Sequence, residues 1–298
     1  MKKIDAVCSK LETLLLTVAP RYQGLPVALS GGLDSALLAA LIKPKFAISV
    51  ELPGDEKYNE IEYAKKVVAY LHLQHIIVKP DDSTFDLCMK IAVKAIGRPI
   101  PHFNIFPLYT MYQTLNLYAE EKIVLGDGPD ETMCGYARDL IFDYLYNIYN
   151  FEAFENYHGL IDKILLPPEV AMEKVIGKKV VQEDMTDVDI QLMRPDMDDM
   201  SNGIAKHFGI TNLRPYQDNK EIDDFMYHLP QEMKIRQVEY GKYALRKVAE
   251  KYLPKEIVWR KKKVGGPVYP VNIMRGWMEN GEFDKKKWLD YQCKILQS

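Results

Sequence analysis

Four short apolar runs separated by helical patterns constrain the fold of the first half of this chain more than any other feature. A continuous apolar run of four to eight residues is typical of a strand buried on both faces, whereas apolar residues at every third or fourth position predict an amphipathic helix. Their alternation predicts an α/β fold with a parallel, doubly wound sheet covered by helices on both faces. The predicted strands are 25–29, 46–50, 75–78 and 123–125, and the predicted helices are 4–18, 59–71, 84–96 and 106–119.

Strand signals fade after about residue 140. The remaining patterns predict helices over 138–157, 169–181, 186–205, 219–228 and 240–252, followed by a basic tail. We therefore expect an α/β nucleotide-binding region over 1–137 and a mainly helical region over 138–298 that closes the site. The two regions are expected to form one integrated domain.

A glycine loop follows the first predicted strand and precedes a predicted helix. Glycines 31 and 32 allow a tight turn, and the hydroxyls of Ser30 and Ser35 can donate to an anion at a helix N-terminus. Asp34 would repel a phosphate unless a Mg²⁺ lay between them. The loop lacks the lysine of a Walker A motif. A plain Gly-Gly turn capped by serine is the alternative interpretation.

A second glycine loop, Gly126-Asp127-Gly128-Pro129-Asp130-Glu131, follows the fourth predicted strand. Parallel strands end at the same edge of a sheet, so the two loops should lie together and hold a metal–triphosphate between them. Asp34 and Asp130 are the predicted Mg²⁺ ligands. An acidic helix start that complements the helix dipole is the alternative interpretation of the Asp130-Glu131 pair, and we retain it for Glu131 but not for Asp130.

Five motifs carry a resemblance to a known family. SGGLDS, VELPG, GDGPDETMCGY, KYALRKVAEKYLP and WRKKK follow one another in the order found in the synthetase domain of the glutamine-dependent asparagine synthetases. The β-lactam and carbapenam synthetases and the lasso-peptide cyclases resemble that domain too. The resemblance implies the adenine nucleotide α-hydrolase-like (PP-loop) fold. It also implies ATP-dependent formation of an acyl-adenylate, release of pyrophosphate and attack by an amine.

The resemblance also implies the roles of particular residues. Asp34 and Asp130 would hold Mg²⁺, and Lys262 would be the catalytic lysine, although the basic run 261–263 is also compatible with a solvated surface. The cofactors implied are ATP and Mg²⁺. The residues implied in binding ATP and pyrophosphate are Ala28, Leu29, Ser30, Gly31, Gly32, Asp34, Ser35, Val50, Leu125, Gly126 and Lys262.

The chain departs from the family at three places. Residue 2 is Lys rather than the nucleophilic cysteine of a glutaminase, so we expect nitrogen from ammonia, a separate amidotransferase or an amine within the substrate. Asp127 stands where the family has Glu or Tyr, and it is our candidate general base. The segment around 198–201 matches the family better than 214–218 does. Both segments shape the acceptor pocket in the family, so the sequence does not decide whether the acceptor is aspartate or a related carboxylate.

Composition excludes some classes of partner. The formal net charge of −3 does not indicate a dedicated nucleic-acid binder, and no apolar run reaches membrane-spanning length. Four scattered cysteines without metal spacing predict reduced thiols in a cytoplasmic protein. We expect small-molecule substrates, and the sequence is compatible with a homo-oligomer. The alternatives are another PP-loop enzyme that modifies tRNA or transfers sulfur, and a non-catalytic nucleotide-binding regulator.

Overall fold

A five-stranded sheet in which every neighbouring pair is parallel forms the centre of the molecule. Its strands are β1 (Val27–Ala28), β2 (Ala47–Val50), β3 (His75–Val78), β4 (Lys122–Val124) and β5 (Thr211–Leu213). Their spatial order is β3-β2-β1-β4-β5. The computed structural model describes residues 2–51, 60–102, 104–135, 186, 189–234, 241–260, 278–279 and 282–298.

Helices connect and cover these strands. The described helices are α1 (Lys2–Val18), α2 (Leu33–Ile42), α3 (Ile61–Leu71), α4 (Phe85–Ile96), α5 (Ile105–Leu117), α6 (Pro129–Thr132), α7 (Arg194–His207), α8 (Lys220–Tyr227), α9 (Gln231–Lys234), α10 (Tyr243–Ala249), α11 (Lys255–Val258) and α12 (Lys285–Gln297). Short 3₁₀ turns span Ala19–Tyr22 and Asp82–Thr84, a π turn spans Asp189–Met193, and a hairpin pairs β6 (Met278–Glu279) with β7 (Glu282–Phe283).

The sheet buries both of its faces. Successive strand side chains point to opposite sides, so Val27 and Val124 join one hydrophobic cluster while Ile48 and Ile123 join the other. The first cluster includes residues of α1, α2, α3, α8 and α10, and the second includes residues of α4, α5, α7 and α12. Helices on both faces of a parallel sheet are the predicted doubly wound α/β arrangement, which is confirmed.

The strand order reverses direction beside β1. From β1 the chain proceeds outward through β2 to β3, and the later strands β4 and β5 lie on the opposite side of β1. The order therefore reverses between β1 and β4, and the loops that leave the carboxyl ends of these two strands diverge there. Doubly wound sheets bind their ligands in the crevice at such a switch point.

Strand β5 was not predicted. It pairs in parallel with β4, with Ile123 opposite Asn212 and Val124 opposite Leu213. Its three residues include two polar side chains, so they do not form the apolar run that marks a buried strand. The later part of the chain therefore contributes to the central sheet. The predicted helices 138–157 and 169–181 lie outside the described residues.

Candidate active site

The loop after β1 is fixed by its own serine side chains. The backbone N–H of Ser30 donates to Ser35 Oγ at 3.2 Å, and the N–H of Gly32 donates to Ser30 Oγ at 3.1 Å. Gly31 has a left-handed φ of 79°, a conformation that glycine adopts without a side-chain penalty. Helix α2 begins at Leu33, so its first N–H groups, which lack helical partners, lie at this edge. The loop thus presents N–H donors at the positive end of a helix dipole.

The loop after β4 packs directly against the first loop. A methyl group added to Gly126 would lie 2.9 Å from the backbone nitrogen of Ser35 in the first turn of α2. The carbonyl of Gly128, whose φ is 114°, accepts a hydrogen bond from the Thr132 hydroxyl at 2.9 Å. Helix α6 follows at once, with Asp130 in its first turn. The two loops therefore meet at the switch point, and residues of both can face one ligand.

Asp34 and Asp130 share one cation, the ammonium group of Lys242. Its Nζ donates to Asp34 Oδ2 and lies 2.8 Å from Asp130 Oδ1. Burial by itself would lower the pKa of Lys242, but the carboxylates of Asp130 and Asp34 outweigh this effect and raise it. The side chain of Lys242 is only 6% exposed. The two aspartates predicted as metal ligands are thus close enough to bind a single positive charge.

The described residues place no cluster of three or more His, Cys, Asp or Glu side chains around a common point. A metal bound by Asp34 and Asp130 would therefore complete its coordination with other oxygens. Mg²⁺ in nucleotide sites takes one or two carboxylates together with phosphate oxygens and water. A pair of carboxylates that already shares a cation fits this pattern.

The backbone around the acidic pair is also held from the C-terminal part of the chain. The N–H of Lys242 donates to the carbonyl of Met133 at 2.9 Å, and its φ of 61° is left-handed. The buried hydroxyl of Tyr216 donates to the backbone carbonyl of Asp34 at 3.1 Å. Residues before 136 and residues after 188 in the sequence therefore contribute to one site.

Asp127 is held by Arg214, which follows β5. Arg214 Nε donates to Asp127 Oδ2 at 3.1 Å and lies 3.3 Å from Asp198 Oδ1. Arg214 Nη2 donates to Ser201 Oγ at 2.8 Å and to Asn202 Oδ1 at 2.9 Å. The guanidinium thus connects the second loop to α7 and fixes one oxygen of Asp127.

The carboxyl group of Asp127 has a raised pKa. Desolvation by the surrounding protein raises it, and nearby Asp198 and Asp130 add to the effect, while Arg214 opposes it. The side chain nevertheless keeps 45% of its surface accessible. Asp127 is therefore an accessible carboxyl group that accepts a proton more readily than an ordinary aspartate does.

Arg260 lies beside the first loop. Its Nη2 donates to Glu60 Oε1 at 2.9 Å, and its guanidinium stacks 4.5 Å from the centroid of the Tyr63 ring. A methyl group added to Gly32 would lie 3.9 Å from the same Nη2. Within the part of the chain that the structure describes, the buried Nη1 of Arg260 has no hydrogen-bond partner. Arg260, which precedes residue 262 in the basic segment, therefore lies next to the glycine loop.

The other predicted binding residues differ in what they can offer. Val50 ends β2 at the edge that carries the loops, and Ala28 ends β1. Leu29 and Leu125 are buried in the hydrophobic clusters, so their side chains support the loops rather than face a ligand. Lys262 lies outside the described residues, and its proposed role rests on the sequence.

Sequence reasoning missed two charged residues of this site. Lys242 begins the motif KYALRKVAEKYLP, in which nothing local indicates a role for the first lysine. Arg214 lies in the segment 214–218, which matches the family only in part and so gives no sign of a site residue. Both residues are far from the glycine loops in sequence, so only the fold places them beside Asp34, Asp130 and Asp127.

The fold and the two loops define a class, the doubly wound α/β proteins whose loops converge at the sheet switch point. Within this class, the family model for asparagine synthase matches residues 24–285, and the chain belongs to that family. The family is ATP-dependent and uses a carboxylate substrate, and its members are ligases or synthetases. The resemblance stated from the motifs is thereby confirmed.

Among solved structures, the chain is similar to the NMN synthetase from Francisella tularensis, with 15% sequence identity and a TM-score of 0.31. The match covers 70% of this chain and 97% of that chain. No curated protein sequence matches the chain significantly. None of the helices in the described ranges is both long enough and apolar enough to span a membrane.

Proposed function

We propose that the protein is an ATP-dependent amide ligase that activates a carboxylate as an acyl-adenylate and releases pyrophosphate and then AMP. The observation that carries the proposal is the meeting of two glycine loops at the switch point, with Asp34 and Asp130 sharing one cation. Membership of the asparagine synthase family supports the same chemistry.

The first loop is suited to bind the phosphates of ATP. In the proposed first step, an oxygen of the substrate carboxylate attacks the α-phosphorus, the bond to the bridging oxygen breaks, and pyrophosphate leaves. Ser30, Gly31, Gly32 and Ser35 would bind the departing pyrophosphate, because hydroxyl and N–H groups at a helix start stabilise negative charge. The adenosine would lie near Val50 and Gly126, at the ends of β2 and β4.

Asp34 and Asp130 are the proposed holders of Mg²⁺. The shared ammonium supports this assignment, since it marks a point that oxygens of both carboxylates can reach together. When bound, Mg²⁺ would neutralise phosphate charge at the bond that breaks. Lys262 is the proposed second source of positive charge, which would act on the charge that develops in the transition state.

Asp127 is the proposed base for the second step. There an amine nitrogen attacks the acyl carbon, AMP leaves, and the nitrogen loses a proton. The raised pKa and the accessible carboxyl of Asp127 suit it to receive that proton, and its bond to Arg214 fixes its orientation. The acceptor we propose is aspartate or a related carboxylate. Ammonia, supplied free or by a separate amidotransferase, or an amine of the substrate would provide the nitrogen.

The test of this proposal is pyrophosphate release from Mg-ATP in the presence of ammonia and a panel of amino-acid carboxylates. We expect release with at least one carboxylate, and a rate at least about 100-fold lower in a Lys262→Ala variant, the loss typical of removing one electrostatic group. Lys286→Ala, on the exposed face of α12, is the matched control and should retain the full rate. The proposal fails if no carboxylate gives release above background or if both variants behave alike.

The buried cysteines argue against the sulfur-transfer alternative. Cys8, Cys88, Cys134 and Cys293 are all free and buried. Burial raises the pKa of Cys8, Cys88 and Cys293, so their thiolates are disfavoured. A sulfur-transferring enzyme needs accessible thiols of low pKa.

A further inference from the structure

Lys242 occupies the position between two carboxylates that the proposed function gives to a metal. Its ammonium contacts both Asp34 and Asp130, and its side chain is almost fully buried. An exposed lysine would sample many rotamers and leave such a position readily, whereas this side chain is confined by the protein around it. The ammonium is therefore a fixed part of the site.

Two neighbouring features confine the lysine. Its backbone is left-handed and is tied through its N–H to the carbonyl of Met133. Its stem passes so close to Gly135 that a methyl group added there would collide with Lys242 Cε and with Asp130 Oδ1. Only a residue without a side chain at position 135 leaves room for the lysine beside Asp130.

The charges of this arrangement disfavour a free divalent cation. A metal that entered would meet a positive group held within hydrogen-bond distance of both of its ligands, and two cations this close repel each other. The phosphates of a nucleotide change this balance, because they bring negative oxygens with which the ammonium can pair instead. With nucleotide phosphates present, the ammonium has oxygens to pair with while both carboxylates bind the metal, whereas a metal alone leaves the ammonium beside a second cation.

We propose that Lys242 is a built-in counter-ion that excludes free divalent metal from Asp34 and Asp130 and admits it only together with nucleotide phosphates. The inference rests on the proposed function for the identity of the metal ligands. Its consequence is that the protein selects the metal–nucleotide complex and does not first bind the metal alone. The ammonium stabilises the two carboxylates until the complex arrives.

The experiment measures Mn²⁺ binding by electron paramagnetic resonance, without nucleotide, in the wild-type protein and in Lys242→Met. We expect weak binding to the wild type and at least tenfold tighter binding to the variant, because the competing positive charge is gone. Lys247→Met is the matched control, since Lys247 lies on the next helix, α10, and pairs with Glu250. The control should bind Mn²⁺ as the wild type does. Adding Asp34→Asn to Lys242→Met should abolish the gain.

A second variant guards against misfolding. Lys242→Gln is neutral but can still donate a hydrogen bond to a carboxylate, and it should gain Mn²⁺ affinity in the same direction. The proposal is overturned if the wild-type protein binds Mn²⁺ tightly without nucleotide and loses that binding on Asp34→Asn. It is also overturned if folded Lys242→Met or Lys242→Gln shows no gain.

These measurements need neither ATP nor an acceptor carboxylate. A protein that excludes free Mn²⁺ through Lys242 but releases no pyrophosphate would contradict the proposed function and leave this inference standing. A protein that forms an amide but binds free Mn²⁺ tightly at Asp34 would do the reverse.

Discussion

Replacing Gly31 by alanine tests whether the first glycine loop is held in place by its packing on α3. A methyl group on Gly31 would lie 2.7 Å from the carbonyl oxygen of Glu60 and 2.9 Å from the backbone nitrogen of Ala64. Both are backbone atoms at the start of α3, so neither can rotate away as a flexible side chain would. Gly97 is a matched control, because its φ of 81° is close to the 79° of Gly31, and no described atom lies within 4 Å of its added methyl.

The two substitutions share one energetic cost and differ in another. A left-handed backbone costs a residue with a Cβ about 1–2 kcal/mol. The lower entropy of the unfolded alanine chain offsets about 0.4–1 kcal/mol of this. Gly97→Ala should therefore lower the free energy of unfolding by about 1 kcal/mol. Gly31→Ala adds the strain of an overpacked site, about 1–3 kcal/mol, for a total loss of about 2–4 kcal/mol.

Urea unfolding followed by far-ultraviolet circular dichroism gives both free energies. Calorimetry with an ATP analogue on the folded variants then measures how far the displaced loop has lost nucleotide affinity. We expect Gly31→Ala to weaken nucleotide binding and Gly97→Ala to leave it unchanged. If the two variants unfold within about 0.5 kcal/mol of each other, the contact with α3 contributes nothing and the reasoning is refuted.

Three further predictions follow from other contacts. Tyr112→Phe removes a buried hydroxyl that donates to Asn212 Oδ1 at 2.8 Å, so it should lower the free energy of unfolding by about 1–2 kcal/mol. Urea unfolding measures this change, and an unchanged free energy would contradict the hydrogen bond. The rate of amide formation should rise with pH through the raised pKa of Asp127, because the carboxylate is the basic form, and Asp127→Asn should remove that limb of the profile. Chelation by EDTA should stop pyrophosphate release yet leave the thermal midpoint unchanged, because the ammonium of Lys242 already pairs with both carboxylates. A large drop in the midpoint would count against that role.

Local sequence patterns were enough to predict the sheet up to β4. Continuous apolar runs identified β2 and β3 to within one residue of their ends, and the apolar spacing of α1 matched its buried face, including Leu11, Leu15 and Val18. The patterns overestimated the length of β1, since only Val27–Ala28 of the predicted 25–29 form the strand. These elements follow the pattern rules because each strand buries a continuous apolar run and each helix buries one periodic apolar face.

The residues that the sequence did not reveal are those whose position depends on long-range packing. Strand β5 is short and partly polar, so its place in the sheet depends on pairing with β4. Arg214 and Lys242 carry no local signal, because a charged residue beside a turn is usually solvated. Their roles become visible only when the chain returns to the switch point and buries them against Asp127, Asp34 and Asp130.

The position of β5 late in the chain has a consequence for folding during synthesis on the ribosome. Strand β4 ends at Val124, yet its outer neighbour begins only at Thr211, so one edge of the growing sheet stays unpaired for several seconds at about 5–20 residues per second. An unpaired strand edge is a template for contact with other chains. The nascent polypeptide therefore passes through an interval of aggregation risk that ends when Thr211–Leu213 emerges and docks.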